Sequence, residues 1–176
     1  MKKAVLILLS LLTVFVFAGC GSDKKDGVDI EYYANLGQIP EASYALDFNA
    51  KTAVKDLEAK QESDENFYFD NFEDGDKGTV IASDTKYFYS VKTNKINRVV
   101  TFSTAYGYKT GTVSIEIKKA LKEKDLKLKE RSLTGDESAL LSASSDTDAI
   151  EVDFEKATVL FAFENNSLFA TVLTKK

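Results

Sequence analysis

The chain has 176 residues, 23 of them basic and 28 acidic, for a net charge of −5, with no histidine, no tryptophan and a single cysteine. The absence of histidine excludes Ser-His-Asp and Cys-His catalysis and histidine-ligated zinc. The acidic balance, with its lysines dispersed, leaves no electrostatic footprint for nucleic acid.

The N-terminus carries an address. Lys2 and Lys3 precede an apolar run from Ala4 to Phe17 that is broken only by Ser10 and Thr13, and the small residues Ala18 and Gly19 then lead into Cys20. Residues 1–19 read as a secretory signal peptide, too short and wrongly flanked for a transmembrane span. A signal ending in cysteine resembles the lipobox of bacterial lipoproteins, with Phe17 where leucine is usual. The resemblance implies that Cys20 carries a diacylglyceryl group and becomes the first mature residue. It also implies that the protein is anchored on the extracytoplasmic face of the cell membrane. A disulfide at Cys20 would need a second thiol, and there is none. Without residues 1–19 the chain keeps 157 residues and a net charge of −7 (21 basic against 28 acidic), so acyl chains rather than surface charge must hold it to a membrane.

Residues 20–29 are polar and glycine-containing from Gly21 to Asp29, which suits a flexible tether. Residues 30–48 form an N-terminal arm with Tyr32, Tyr33, Leu36 and Ile39 before the only proline, Pro40. Asn49 then suits a helix N-cap, and Ala50, Ala53, Val54 and Leu57 recur at helical spacing up to about Gln61. Strand-like runs follow at 66–72, 79–83, 86–92 and 95–103, with Thr93-Asn94 as a tight loop. Val113, Ile117, Ala120 and Leu121 predict a second helix, capped by Thr112 or Ser114. Strands are expected at 127–133, 138–144, 149–154, 158–164 and 167–174. The run Tyr87–Ile96 aligns without a gap on Val159–Leu168 at an offset of 72, so residues 49–106 and 107–176 read as two units of one design. The expected fold is α+β: two tandem units of a helix followed by antiparallel strands, with the helices packed on one face of a shared sheet.

This layout resembles the β-lactamase-inhibitor-protein architecture and the related single units of BamE/SmpA-type lipoproteins. The segment Gly107–Ile117 is similar to the loop-into-helix opening of such units. The resemblance covers most of residues 49–176 and is one of layout. It implies protein binding without catalysis, and no residue role transfers with it.

With Thr93-Asn94 as a two-residue loop, Val91 opposes Ile96, Tyr89 opposes Arg98 and Tyr87 opposes Val100. In the last hairpin Phe163 opposes Leu168, Phe161 opposes Ala170 and Val159 opposes Val172. These sets belong under the helices, with Arg98 the one intruder. The opposite face then holds Phe88, Val99, Leu160, Phe169 and Leu173, more apolar than a solvated sheet face should be. We expect this open face to bind a protein partner in the cell envelope, as an inhibitor, assembly factor or adaptor would. Two alternatives stand beside it: residues 30–46 fold across the face, or the register is displaced by one residue. The rival function is binding of an envelope peptide, glycan or lipid in a groove between the units, with Tyr106 and Tyr108 either lining that groove or packing the junction.

Other motifs carry less. The loop Asp70–Asp76 departs from a calcium-binding loop at Phe72 and Ile81. Asp146, Asp148, Glu151 and Asp153 lie on or beside a strand with Glu151 and Asp153 alternating outward, which is a solvated face rather than an acid–base pair. Lys118 to Lys129 are interleaved with Glu116, Glu123, Asp125 and Glu130 as an ion-paired surface. Asn165-Asn166-Ser167 is a turn. No metal site, no cofactor and no enzymatic activity are expected.

Overall fold

A computed structural model of the protein describes residues 28–176. The expected signal peptide, Cys20 and the tether up to residue 27 lie outside the described residues. Among these the helices are α1 (Ile30–Asn35), α2 (Ala50–Ser63), α3 (Ser114–Glu123) and α4 (Gly135–Leu141). The strands are β1 (Phe69–Asp74), β2 (Lys77–Ala82), β3 (Thr85–Ser90), β4 (Lys95–Thr101), β5 (Leu128–Ser132), β6 (Asp148–Asp153), β7 (Ala157–Glu164) and β8 (Ser167–Lys175). They make one eight-stranded antiparallel sheet in the order β1-β2-β3-β4-β8-β7-β6-β5. The fold is α+β.

Local chemistry places most of these elements. The Asn49 side chain accepts the Thr52 N–H at 3.1 Å, and Ala50, Ala53 and Leu57 then bury one stripe of α2. Asp29 caps α1 in the same way through Tyr32. In α3 the cap is Val113, without the side-chain bond expected of Thr112 or Ser114, and Ile117 and Leu121 anchor the helix instead. The loop Asn165-Asn166 has both residues at positive φ (49° and 63°), the geometry that joins two right-twisted strands in two residues.

The strand expected at 138–144 is instead α4. Thr134 and Glu137 form a reciprocal capping box that commits this segment to a helix. α4 also changes the layering. Val159, Phe161 and Phe163 join Ile30, Ala34, Leu57, Ile117 and Leu121 in the main core, under α1, α2 and α3. The alternating residues Leu160 and Ala162, with Ala170 and Val172 of β8, pack with Leu133 and Leu141 in a second cluster on the other side. The helices therefore occupy both faces, not one.

Full burial of Phe161, which meets Tyr106 and Tyr108 edge-on at 6.4 and 5.8 Å, contributes roughly 1.5–3 kcal/mol before those ring contacts are counted. Both tyrosines thus pack at the junction between β4 and α3. The arm closes over the same layer. Ile30, Ile39 and Leu46 enter the main core, the Tyr106 hydroxyl donates to the Gln38 carbonyl at 2.9 Å, and the Glu41 carboxylate accepts the N–H groups of Tyr106 and Gly107 at 2.9 and 2.8 Å. Burial, with Glu41 nearby, pushes the Tyr106 phenol up. The arm therefore lies on the helical side and leaves the opposite face alone.

Two bulges correct the register. In β4 Phe88 pairs with Arg98 and Tyr89 with Ile96, leaving Asn97 over; in β8 Ala162 pairs with Ala170 and Phe163 with Leu168, leaving Phe169 over. The loop after β3 spans Val91–Asn94, four residues rather than two, so the two hairpins do not align without a gap. Beyond each bulge every side chain changes face.

Candidate protein-binding face

The sheet face opposite α1, α2 and α3 has two halves of different character. Over β5–β8 it is roofed by α4, with Leu133, Leu140, Leu141 and Ala143 clustered on Val100, Ala149, Leu160, Ala162, Ala170 and Val172. The boundary falls on β4, whose Val100 belongs to that cluster with Phe88 and Phe102 packed against it; over β1–β3 none of the described helices joins a cluster on this face. Across β1–β4 the outward residues are Phe72, Ile81, Lys86, Phe88, Arg98 and Val100, with Phe102 just past the end of β4. Half-exposed rings themselves form this surface. Phe72 on the edge strand is 50 % exposed, and Tyr68 just before it is 56 % exposed. Val100 is buried beneath its neighbours.

The five residues expected on this face divide. Phe88 and Phe169 both pack against the second cluster, Phe88 at the border of the open half and Phe169 at its bulge. Leu160 is on this face but roofed, at 4 % exposure. Val99 and Leu173 pair with each other and are buried in the main core, so they belong to the helical side. The cause is the bulge in each strand: one unpaired residue reverses the alternation beyond it. Phe102, beyond the bulge in β4, was missed for the same reason, whereas Phe72 and Ile81 lie on the unbroken ladders of β1 and β2, whose faces the hairpin argument did not reach. One signal was present. Arg98 in an otherwise apolar inward row marks the point where the row turns over, and its side chain faces outward.

The roofed half is electrostatically complete. Arg131 of β5 donates to both Glu137 oxygens of α4 at 2.6 Å and to Glu151 Oε2 of β6 at 2.9 and 2.5 Å. Lys129 adds a bond to Glu151 at 3.1 Å. These groups are between 13 and 23 % exposed, apart from Lys129, so the fork clamps α4 to the sheet. Arg131 holds the Glu137 carboxyl down at about 2, against the opposing pull of burial. The bare half is not complete. Lys77, Lys86 and Arg98 face outward from β2, β3 and β4, and none has an ion-pair partner among the described residues. Lys86 sits over the Phe102 ring at 5.2 Å. Arg98 Nε is buried and makes no hydrogen bond. Between Arg98 and the roof runs a cleft of about 230 Å³, lined by Glu137, Leu140, Glu151, Thr158, Leu160, Val172 and Thr174.

The remaining motifs sit apart from this face or are neutralised. Asp153 bonds Lys176 at 2.9 Å and Thr158 at 2.8 Å, which lowers its carboxyl, and Glu151 is engaged by Arg131 and Lys129. The lysine-rich stretch pairs Lys118 with Glu130 at 2.8 Å and Lys119 with Glu123 at 4.0 Å. Among the described residues no group of three or more metal-ligating side chains converges, and no helix is long and apolar enough to cross a membrane. A wider cleft of about 880 Å³ runs between α3 and the Tyr106–Tyr108 loop, with Val28, Thr112, Ala120 and Lys124 on its walls. No protein-family model, no curated protein and no solved structure matches this chain.

Proposed function

We propose that this chain is a lipid-anchored, non-enzymatic protein-binding module of the cell envelope, and that its partner covers the open half of the sheet face. One observation carries the reading: a half-face of exposed and half-exposed aromatic rings next to an equivalent area that the chain roofs with its own helix. Contiguous apolar surface of this kind usually marks an interaction site. The two-unit organisation belongs to the same proposal. It is supported by strand order, in which β1-β2-β3-β4 meets β8-β7-β6-β5, and by bulges at Asn97 and Phe169, 72 residues apart. α4 is then an insertion in the second unit. The expectation of protein binding drawn from the resemblance to the β-lactamase-inhibitor-protein architecture is part of the same proposal.

The test is cross-linking of the anchored chain in native membranes, followed by mass spectrometry. One dominant protein partner, lost in Phe88→Glu and in the exposed edge variant Phe72→Glu, is expected. Capture that survives both substitutions sinks the proposal. For the anchor, the mature N-terminus should be a diacylated Cys20, and Cys20→Ala should leave the chain unacylated and free of the membrane fraction. The cleft beside α3 favours the second reading, a small envelope ligand held near Tyr108. Saturable binding of wall fragments or lipids that is unchanged in Phe88→Glu would select it.

A further inference from the structure

We infer that the partner presents an acidic amphipathic helix, laid over β1–β4 as α4 is laid over β5–β8. The inference rests on the protein-binding reading above and names the chemistry of its occupant.

The argument starts from what the chain does with its own second half. A sheet face of small apolar side chains is there closed by a short helix whose Leu141 is buried and whose Glu137 reaches the Arg131 fork. Every cation under that roof has a carboxylate: Arg131 has Glu137 and Glu151, and Lys129 has Glu151. The bare half repeats the ingredients without the roof. Phe72, Ile81 and Phe88 supply a floor for leucine-sized side chains, and Lys77, Lys86 and Arg98 rise from successive strands without an ion-pair contact among the described residues, although Asp74 is the cross-strand neighbour of Lys77. Its outward acids are confined to the edge strand, at Asp70 and Asp74. In a chain of net charge −5, a cationic centre on an apolar face is a local inversion of the prevailing sign. Such a patch recruits an anionic partner and repels copies of the chain's own acidic surface.

Arg98 makes the case specific. A buried guanidinium N–H without an acceptor costs free energy until an acceptor arrives; Arg98 faces outward from β4 at the border of the bare half, beside a cleft whose own carboxylates, Glu137 and Glu151, are paired with Arg131 rather than with it. Arginine presents its donors in a planar fork that matches a carboxylate. A helix offers apolar residues at i, i+3, i+4 and i+7 with acids on its flanks, the pattern a floor flanked by cations would select. An extended strand added to β1 would instead meet the acidic edge and leave Arg98 unanswered.

The probe is an mRNA-displayed library of random 18-residue peptides, selected on the whole chain in detergent. Enriched families should show apolar residues at helical spacing with flanking Asp or Glu. Their affinity should fall at least tenfold between 0.05 and 0.5 M NaCl and at least tenfold in Arg98→Gln. Phe88→Glu should abolish binding, and Phe72→Glu, at a half-exposed position that the fold does not need, should weaken it with an unchanged melting temperature. Enrichment of basic or strand-forming peptides that still depend on Phe88 and Phe72 would overturn the acidic helix and keep the binding face. A library that yields nothing sensitive to either residue would overturn both. A chain that sediments as a dimer and becomes monomeric in Phe72→Glu would show that a second copy is the occupant, which also refutes the inference.

Discussion

Gly78→Ala should be far more damaging than its exposure-free chemistry suggests. A methyl group built on Gly78 would lie 2.0 Å from Tyr89 Cζ and 2.4 Å from both Cε atoms, because the tyrosine ring rests flat on the glycine across the β2–β3 ladder. Carbon atoms settle at roughly 3.5–4.0 Å, so the ring must move by about 1.5 Å. It has little freedom to do so. Tyr89 is 3 % exposed, its backbone is paired with Gly78, and its hydroxyl reaches Glu73 at 2.9 Å and Asn71 at 3.2 Å. Overpacking of this kind costs about 1–3 kcal/mol, and a lost hydrogen bond to a carboxylate adds about 1.5–3 kcal/mol. A loss of about 3–5 kcal/mol is expected, a large part of the roughly 5–15 kcal/mol that stabilises a typical domain. Strand propensity alone predicts the reverse sign, since alanine is preferred to glycine by about 0.5–1 kcal/mol. Urea unfolding followed by circular dichroism measures the single variants and the double variant with Tyr89→Ala. Tyr89→Ala alone should cost about 3–5 kcal/mol. In that background Gly78→Ala should cost nothing or stabilise slightly. Additive costs, or a loss below about 1 kcal/mol in the single variant, would refute the seating of this ring.

Two further perturbations test the roof and the core. Glu137 is held at about 2 in the folded chain, below its ordinary value of 4.5, so its stabilising contribution is complete above about pH 4.5 and is lost as the pH falls toward 2. Urea midpoints should therefore be level near neutrality and decline below about pH 4.5, with a shallower decline in Glu137→Gln. Arg131→Met, which strands two partly buried carboxylates, should cost about 2–3 kcal/mol near pH 7, and Arg131→Lys should recover only part of that because it cannot fork. Thr171 is fully buried with no partner for its hydroxyl, so Thr171→Val should stabilise by about 1 kcal/mol and raise the melting temperature by about 2–4 °C. A lower melting temperature there would show that the hydroxyl is satisfied.

Much of the architecture was readable because it is built from local rules. Asn49 with Ala50, Ala53 and Leu57 announces a helix by cap and period, and Phe161, Phe163 and Leu168 announce a buried hairpin by alternation around Asn165-Asn166. α1 was missed because six residues are too short to show a period. α4 was missed because Leu140-Leu141 was read as a strand, although Thr134 and Glu137 already spelled its capping box. The candidate face was readable at Phe88 and misread at Val99 and Leu173, and the reason is geometric. Alternation carries face assignments along a strand only while the count of residues is unbroken, and a bulge changes that count without any composition of its own. Phe169 is an ordinary strand residue, and Asn97, though of a type depleted in strands, does not by itself mark a bulge.

The two longer helices, most of the strands and their antiparallel class follow from the chain alone, because caps, turns and periods are written within a few residues of where they act. Which half of the outer face is roofed, which cations find carboxylates and which way Arg98 points were decided only in the folded molecule. Those outcomes depend on β5, α4 and β6 meeting across some twenty residues of chain, and on single unpaired residues that turn the central strands over.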